Sequence, residues 1–87
     1  MSSRPYEILI TRRAVKDIQK LTPTLKKKLY DILTRVIAVD PFCGKKLVGD
    51  LRGSYSHRLT YQDRIVYSIN HAKRTVYIER GASHYGD

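Results

Sequence analysis

The chain has 87 residues, enough for one domain, residues 1–87, with a thin core; a domain of this size buries roughly 60–65% of its unfolded surface. Seventeen Lys and Arg oppose eight Asp and Glu, a formal charge of +9 that exceeds what solubility alone requires. No apolar run nears the ~20 residues of a membrane span, the first residues lack an apolar signal region, and the single cysteine, Cys43, excludes an internal disulfide, so a free thiol in a reducing cytoplasm is expected.

A field of this sign draws polyanions by long-range attraction and counterion release. Nucleic acid therefore leads the partner classes, ahead of an acidic protein or an anionic membrane surface.

In chain order, Tyr6-Glu7-Ile8-Leu9-Ile10 reads as a short strand. Thr11 can cap the helix that follows, whose apolar positions Ala14, Ile18 and Leu21 have helical spacing. Thr22-Pro23 restarts the chain, since proline suits the first helical position. Leu25, Leu29, Ile32, Leu33, Val36 and Ile37 then form an apolar stripe flanked by Lys26, Lys27 and Lys28. Pro41 ends this helix no later than Asp40. Residues 41–53 form a glycine-punctuated loop carrying Lys45 and Lys46, long enough to suggest function. Three strand-like runs follow, at about 54–60, 64–70 and 75–80. The order β-α-α-β-β-β predicts an α+β fold, with two N-terminal helices on one face of a mostly antiparallel four-stranded sheet.

Side chains alternate across a strand. Tyr55, His57 and Leu59 point one way; Ser54, Ser56, Arg58 and Thr60 point the other. Ile65, Tyr67 and Ile69 likewise oppose Arg64, Val66 and Ser68. A two-residue turn at Gln62-Asp63 would mix the core and solvent faces. An odd-length loop pairs Leu59 with Ile65, His57 with Tyr67 and Tyr55 with Ile69, which gathers every large apolar residue except Val66 on one side. For the last strand the best apolar match sets Ile78 beside Tyr67 and Val76 beside Ile69. Glu79 then lies beside Val66, between Arg58 and Arg64. Arg80 falls at the strand end, on the other parity unless the chain bulges there. The open face thus carries Arg58, Arg64 and Glu79, with the Lys45-Lys46 loop and the Ser83-His84-Tyr85 tail placed to fold over it. His57 points to the apolar side, as a core histidine.

His57, His71 and His84 lack ligand spacing with Cys43 or paired carboxylates, and Gly44-Lys45-Lys46 lacks the rest of a P-loop, so neither a metal nor a nucleotide cofactor is expected. One reaction suits the remaining groups. RNA carries its own nucleophile, the 2′-OH; a base removes its proton, the oxygen attacks phosphorus, and an acid protonates the departing 5′ oxygen. Cations stabilise the added negative charge, and arginine bonds phosphate oxygens through a planar fork that stays charged. Each residue also has a plainer use. Arg58 and Glu79 would serve as a surface ion pair worth about 0–1 kcal/mol. Tyr85 would anchor the tail, Lys45 and Lys46 would only touch phosphates, His84 would be a surface histidine, and Lys26-Lys27-Lys28 would be a solvated helix face or an rRNA contact. Arg64 is the strongest candidate, because arginine at a strand start on an open face has few structural uses.

The stretch Gly49-Asp50-Leu51-Arg52-Gly53-Ser54-Tyr55-Ser56-His57-Arg58-Leu59, continued by Tyr61-Gln62-Asp63-Arg64-Ile65-Val66-Tyr67, resembles the core of RelE and YoeB toxins of the RelE/ParE superfamily. The ending Arg80-Gly81-Ala82-Ser83-His84-Tyr85 is similar to the YoeB-like tail, which closes with His-Tyr. The similarity covers about residues 40–85. It implies a cytoplasmic type II toxin that enters the ribosomal A site beside 16S rRNA, cleaves the mRNA there, and is held inactive by a cognate acidic antitoxin. Arg64 matches the arginine that contacts the scissile phosphate. His84 and Tyr85 match the terminal pair, His84 as general acid or base and Tyr85 orienting or stacking, and Arg80 sits near a second family arginine. The chain departs from YoeB where that family carries a glutamate base: Lys45 stands there, with Lys46 next to it, closer to the lysine-rich RelE site. Lys45, Lys46, His84 and Glu79 all remain open as the base. Two other functions fit the same fold: a ParE-like inhibitor of DNA gyrase that cleaves nothing, and a basic rRNA-binding module without catalysis.

Overall fold

The structure is a computed structural model that describes residues 4–48 and 53–83. Strand β1, Glu7–Ile10, leads into helix α1, Arg12–Gln19, and helix α2, Pro23–Ile32. Both helices begin as their sequences dictate. Thr11 and Thr22 accept hydrogen bonds from the amides of Ala14 and Leu25, and Pro23 occupies the first turn of α2. A π-helical stretch, Leu33–Ile37, extends α2, with the Ala38 amide bonded to the Leu33 carbonyl at 2.9 Å. The wider turn keeps Leu33 and Ile37 both buried. A short 3₁₀ turn, Pro41–Cys43, follows, and then strands β2, Lys45–Lys46; β3, Ser54–Arg58; β4, Arg64–Asn70; and β5, Thr75–Ser83.

The architecture is α+β, as expected. The sheet order is β1-β5-β4-β3-β2, giving five strands instead of four. The fifth is β2, whose lysines lie in the stretch read as loop; two residues carry too little pattern to read as a strand. All neighbours are antiparallel except β1 and β5, which run parallel. The β3–β4 register pairs Tyr55 with Tyr67, His57 with Ile65 and Arg58 with Arg64. This differs from the expected pairing by two residues and so keeps the expected faces, because the side-chain period is two. Ala14, Leu29, Leu33, Ile37, Leu59, Ile65, Tyr67, Val76 and Ile78 meet in one core between helices and sheet. His57 is not in it; the ring is part-exposed and its Nδ1 lies 3.0 Å from the Arg58 carbonyl.

Strand β5 follows the expected match of Ile78 to Tyr67 and Val76 to Ile69, and then shifts register twice, so that Val66 pairs with Arg80 and Arg64 with Ser83. A bulge leaves a backbone N–H without a ladder partner. Here the Gly81 N–H donates to Asp17 of α1 at 3.1 Å, and Arg80 donates to the same carboxylate through Nε at 2.7 Å and Nη2 at 3.2 Å. No Cβ fits at Gly81, since it would lie 2.6 Å from Ile18 and 3.1 Å from the Ala14 carbonyl. At the other edge a Cβ on Gly44 would stand 2.2 Å from the Tyr67 hydroxyl and 2.8 Å from the Ser56 carbonyl. That hydroxyl is buried, which pushes its pKa up, and it donates to the Pro41 carbonyl at 2.7 Å.

Two stability predictions follow from these contacts. The hydrogen bond from Arg80, aided by the Gly81 amide and opposed by burial, holds the Asp17 carboxyl below its ordinary pKa. A depressed carboxyl stabilises the fold above its unfolded pKa of about 3.9 and loses that contribution as pH falls through the folded value. Asp17→Asn should therefore cost about 1–2 kcal/mol at neutral pH and flatten the fall of the thermal midpoint below about pH 4. Gly44→Ala should cost about 1–3 kcal/mol in urea unfolding. The double variant with Tyr67→Phe should lose less than the sum of the two singles, because both act on one contact.

Candidate active site

Partners on adjacent antiparallel strands share a face. Lys45 pairs with Ser56 and so joins Ser54, Ser56, Arg58, Arg64 and Val66 on the face away from the helices. Lys46 pairs with Tyr55 and falls on the helix side, where it lines a pocket of about 340 Å³ with Phe42, Tyr55, Ile69 and His71. The structure thus separates two lysines that the sequence places together.

The floor of the open face is made of small, buried side chains: Ser56 is 2% exposed, Ser54 9% and Val66 3%. Long cations rise around it. Arg58 and Lys45 are exposed, and Arg64 leans inward to donate from Nη1 to the Ser56 hydroxyl at 3.2 Å. Arg58 and Arg64 are direct cross-strand partners, an arrangement that destabilises a sheet unless an anion relieves it. The ion pair that Arg80 makes with Asp17 involves neither of them. Ser83 is the partner of Arg64 on its other side, so one row runs Arg58, Arg64, Ser83 across three strands, each step about 5 Å.

Glu79 keeps the open face that the sequence reading gave it but not the place between the arginines, and Arg80 lies on the other side of the strand, as its parity predicts. Glu79 is on the open face, in the bulge opposite Val66. Its carboxylate crosses β4 to accept from the Ser54 hydroxyl at 3.1 Å, so it does not sit between the arginines. The small Ser68 side chain on β4 leaves it room. Arg80 turns to the helix side and is consumed by Asp17, an ion pair that raises the arginine further and secures the bulge. His84, Tyr85 and residues 49–52 lie outside the described residues. Ser54 and Ser56 were not singled out by sequence reasoning; two serines at alternate positions directly before an arginine are the signal that a small polar floor leaves.

Among the described residues, no three His, Cys, Asp or Glu side chains gather to hold a metal ion, and no helix is long and apolar enough to cross a membrane. A second concavity, about 390 Å³ and almost wholly apolar, lies between β1 and the helices, lined by Ile10, Ile18, Leu29, Tyr30 and Leu33 with Lys26 and Lys27.

The fold has clear relatives. The structure of the RelBE2 toxin–antitoxin complex of Mycobacterium tuberculosis matches with a TM-score of 0.84 and 29% identity over 99% of this chain and 98% of that one. A YoeB/ParE toxin from Agrobacterium tumefaciens matches at 0.80 with 24% identity, over 91% and 99% of the two chains, a likeness of fold alone. The YoeB dimer of Staphylococcus aureus matches at 0.76 with 25% identity over 93% and 99%. Comparison with curated proteins by sequence gives no match. The family model described as a ParE-like toxin of type II bacterial toxin–antitoxin systems matches residues 8–86, nearly the whole chain. The chain therefore belongs to the ParE-like toxin family of type II bacterial toxin–antitoxin systems.

Proposed function

We propose that the protein is a ribosome-dependent endoribonuclease that cleaves mRNA in the A site and so stops translation. The observation that carries this reading is the cross-strand pair of arginines, Arg58 opposite Arg64, above a floor of small buried side chains on an open sheet face. A phosphate is the anion such a pair fits, because two planar forks can share its oxygens. In the proposed reaction the message's 2′-OH loses its proton, attacks the adjacent phosphorus and expels the 5′ oxygen, which leaves protonated. Arg64 and Arg58 stabilise the charge that builds on the phosphoryl oxygens. Lys45, on the same face, is the lysine available to assist; Lys46 is not. His84 is the proposed proton donor and Tyr85 its orienting or stacking partner. They follow Ser83, whose backbone lies beside Arg64.

The partners proposed are the message and 16S rRNA on one side and an acidic antitoxin on the other. A charge of +9 favours all three. The apolar groove rimmed by Lys26 and Lys27 supports an antitoxin segment with one apolar face and acidic flanks. The solved RelBE2 relative is itself a toxin–antitoxin complex.

Cleavage of a labelled message on programmed ribosomes tests the nuclease reading. Arg64→Ala should lower kcat/KM by about 10²–10³-fold, the loss typical of removing one donor to a developing oxyanion. Lys46→Ala should leave it within about twofold, since the altered residue faces away. An intact message, together with inhibited DNA supercoiling, would overturn the reading in favour of gyrase inhibition. An intact message with unaffected gyrase would leave only an rRNA-binding module. For the antitoxin, the double charge reversal Lys26→Glu with Lys27→Glu should weaken binding by about tenfold or more at low salt, mostly through slower association. Unchanged affinity would place the antitoxin elsewhere.

A further inference from the structure

We propose that Tyr61 is a stacking platform for an unstacked nucleobase next to the phosphate held by Arg58 and Arg64. The inference rests on the nuclease reading above and adds a base-binding element to that site.

Among the described residues, Tyr61 is the most exposed of the large hydrophobic side chains, at 90%. It stands at the apex of the β3–β4 turn, three residues from Arg58 and three from Arg64. Three residues span at most about 10 Å, so the ring lies within reach of a nucleotide neighbouring the gripped phosphate.

The turn that carries it is braced. The Thr60 hydroxyl donates to the Asp63 carboxylate at 3.1 Å and accepts from the Gln62 and Asp63 amides at 3.2 and 3.0 Å. The amides of Leu59 and Thr60 both donate to the Asp63 carbonyl, at 2.9 and 3.1 Å. None of these bonds needs a side chain at position 61. Turns favour Gly, Asn, Asp, Ser and Pro for reasons of backbone geometry, and an exposed tyrosine serves none of them. An aromatic ring fixed on a rigid turn loses little freedom when it takes a partner.

Base–aromatic stacking beside a cationic track is how single strands are held without reading their sequence. Stacking engages the ring face and not the hydroxyl, so phenylalanine should substitute. The contact is made equally in ground and transition states, so it should appear in KM and not in kcat.

The test uses the full chain with programmed ribosomes and a labelled message. Tyr61→Ala should raise KM about 5- to 100-fold, with kcat and the thermal midpoint unchanged, and Tyr61→Phe should restore wild-type KM. A message carrying an abasic nucleotide on either side of the scissile phosphate then identifies the base. If the contrast between wild type and Tyr61→Ala vanishes, the stacked base is the message base beside the scissile phosphate, as proposed; if it persists, Tyr61 meets RNA elsewhere on the ribosome and the proposal is overturned. Equal KM for wild type and Tyr61→Ala on the intact message overturns the stacking proposal and leaves the nuclease reading standing. So does a Tyr61→Ala protein that cleaves normally but binds its antitoxin more weakly. Failure of the wild-type protein to cleave overturns both.

Discussion

The geometry of the open face depends on the two register shifts in β5. Continued from Tyr67 and Ile78 without a shift, the ladder would set Gly81 opposite Arg64. The shifts set Ser83 there. Two extra residues draw the end of the strand back by about 7 Å, at 3.3 Å per residue. That retraction is what delivers the start of the tail to the arginine row. It leaves β5 with a backbone N–H that the ladder cannot satisfy, beside a cation, Arg80, that keeps the helix-side parity of Ile78. Asp17 answers both, through the Gly81 amide and the Arg80 guanidinium. One carboxylate on α1 thus holds the strand irregularity in place, and the close contact of Gly81 with Ile18 and the Ala14 carbonyl leaves no room for a larger residue there.

This arrangement also explains why two cations of similar sequence setting end in different roles. Arg64 begins a strand on the open face and, among the described residues, donates to the Ser56 hydroxyl alone. Arg80 lies in the bulge and meets a largely buried carboxylate at 2.7 Å. The first keeps most of its hydrogen-bonding capacity for a ligand; the second spends it on the fold. The same division separates Lys45 from Lys46, where one step along an edge strand decides which side of the sheet the charge occupies.

Much of the fold was legible because it rests on local chemistry. Thr11, Thr22 and Pro23 mark their helix starts by capping and fixed φ, and the alternation in residues 54–59 and 64–69 assigns the two faces by parity. Parity also explains the limit. The register between β3 and β4 is off by two residues, which periodicity cannot detect because a two-residue slip conserves every face. The parallel pairing of β1 with β5 brings together residues nearly seventy positions apart, and β2 has only two residues. Neither leaves a local pattern to read. The side taken by Arg80 follows from its parity with Ile78, but the bulge beside it was not legible, because it depends on Asp17, in another element. Glu79 was misplaced by the same cause, since its reach to Ser54 requires both the shift and the small Ser68 side chain beneath it.

The conflict at Arg58 and Arg64 is the strongest pointer to a function. A protein selected only to fold would avoid pairing like charges directly across two strands, or would set a carboxylate beside them. Glu79, on the same face, is tied to Ser54. The local cost is retained on a face whose floor is small and polar, at the end of the sheet where the braced turn and the final strand converge. An anion with several oxygens would offset that repulsion on binding. Of the polyanions a strongly basic chain attracts, single-stranded RNA also offers a face for the exposed Tyr61 ring. A duplex stacks its bases internally and does not.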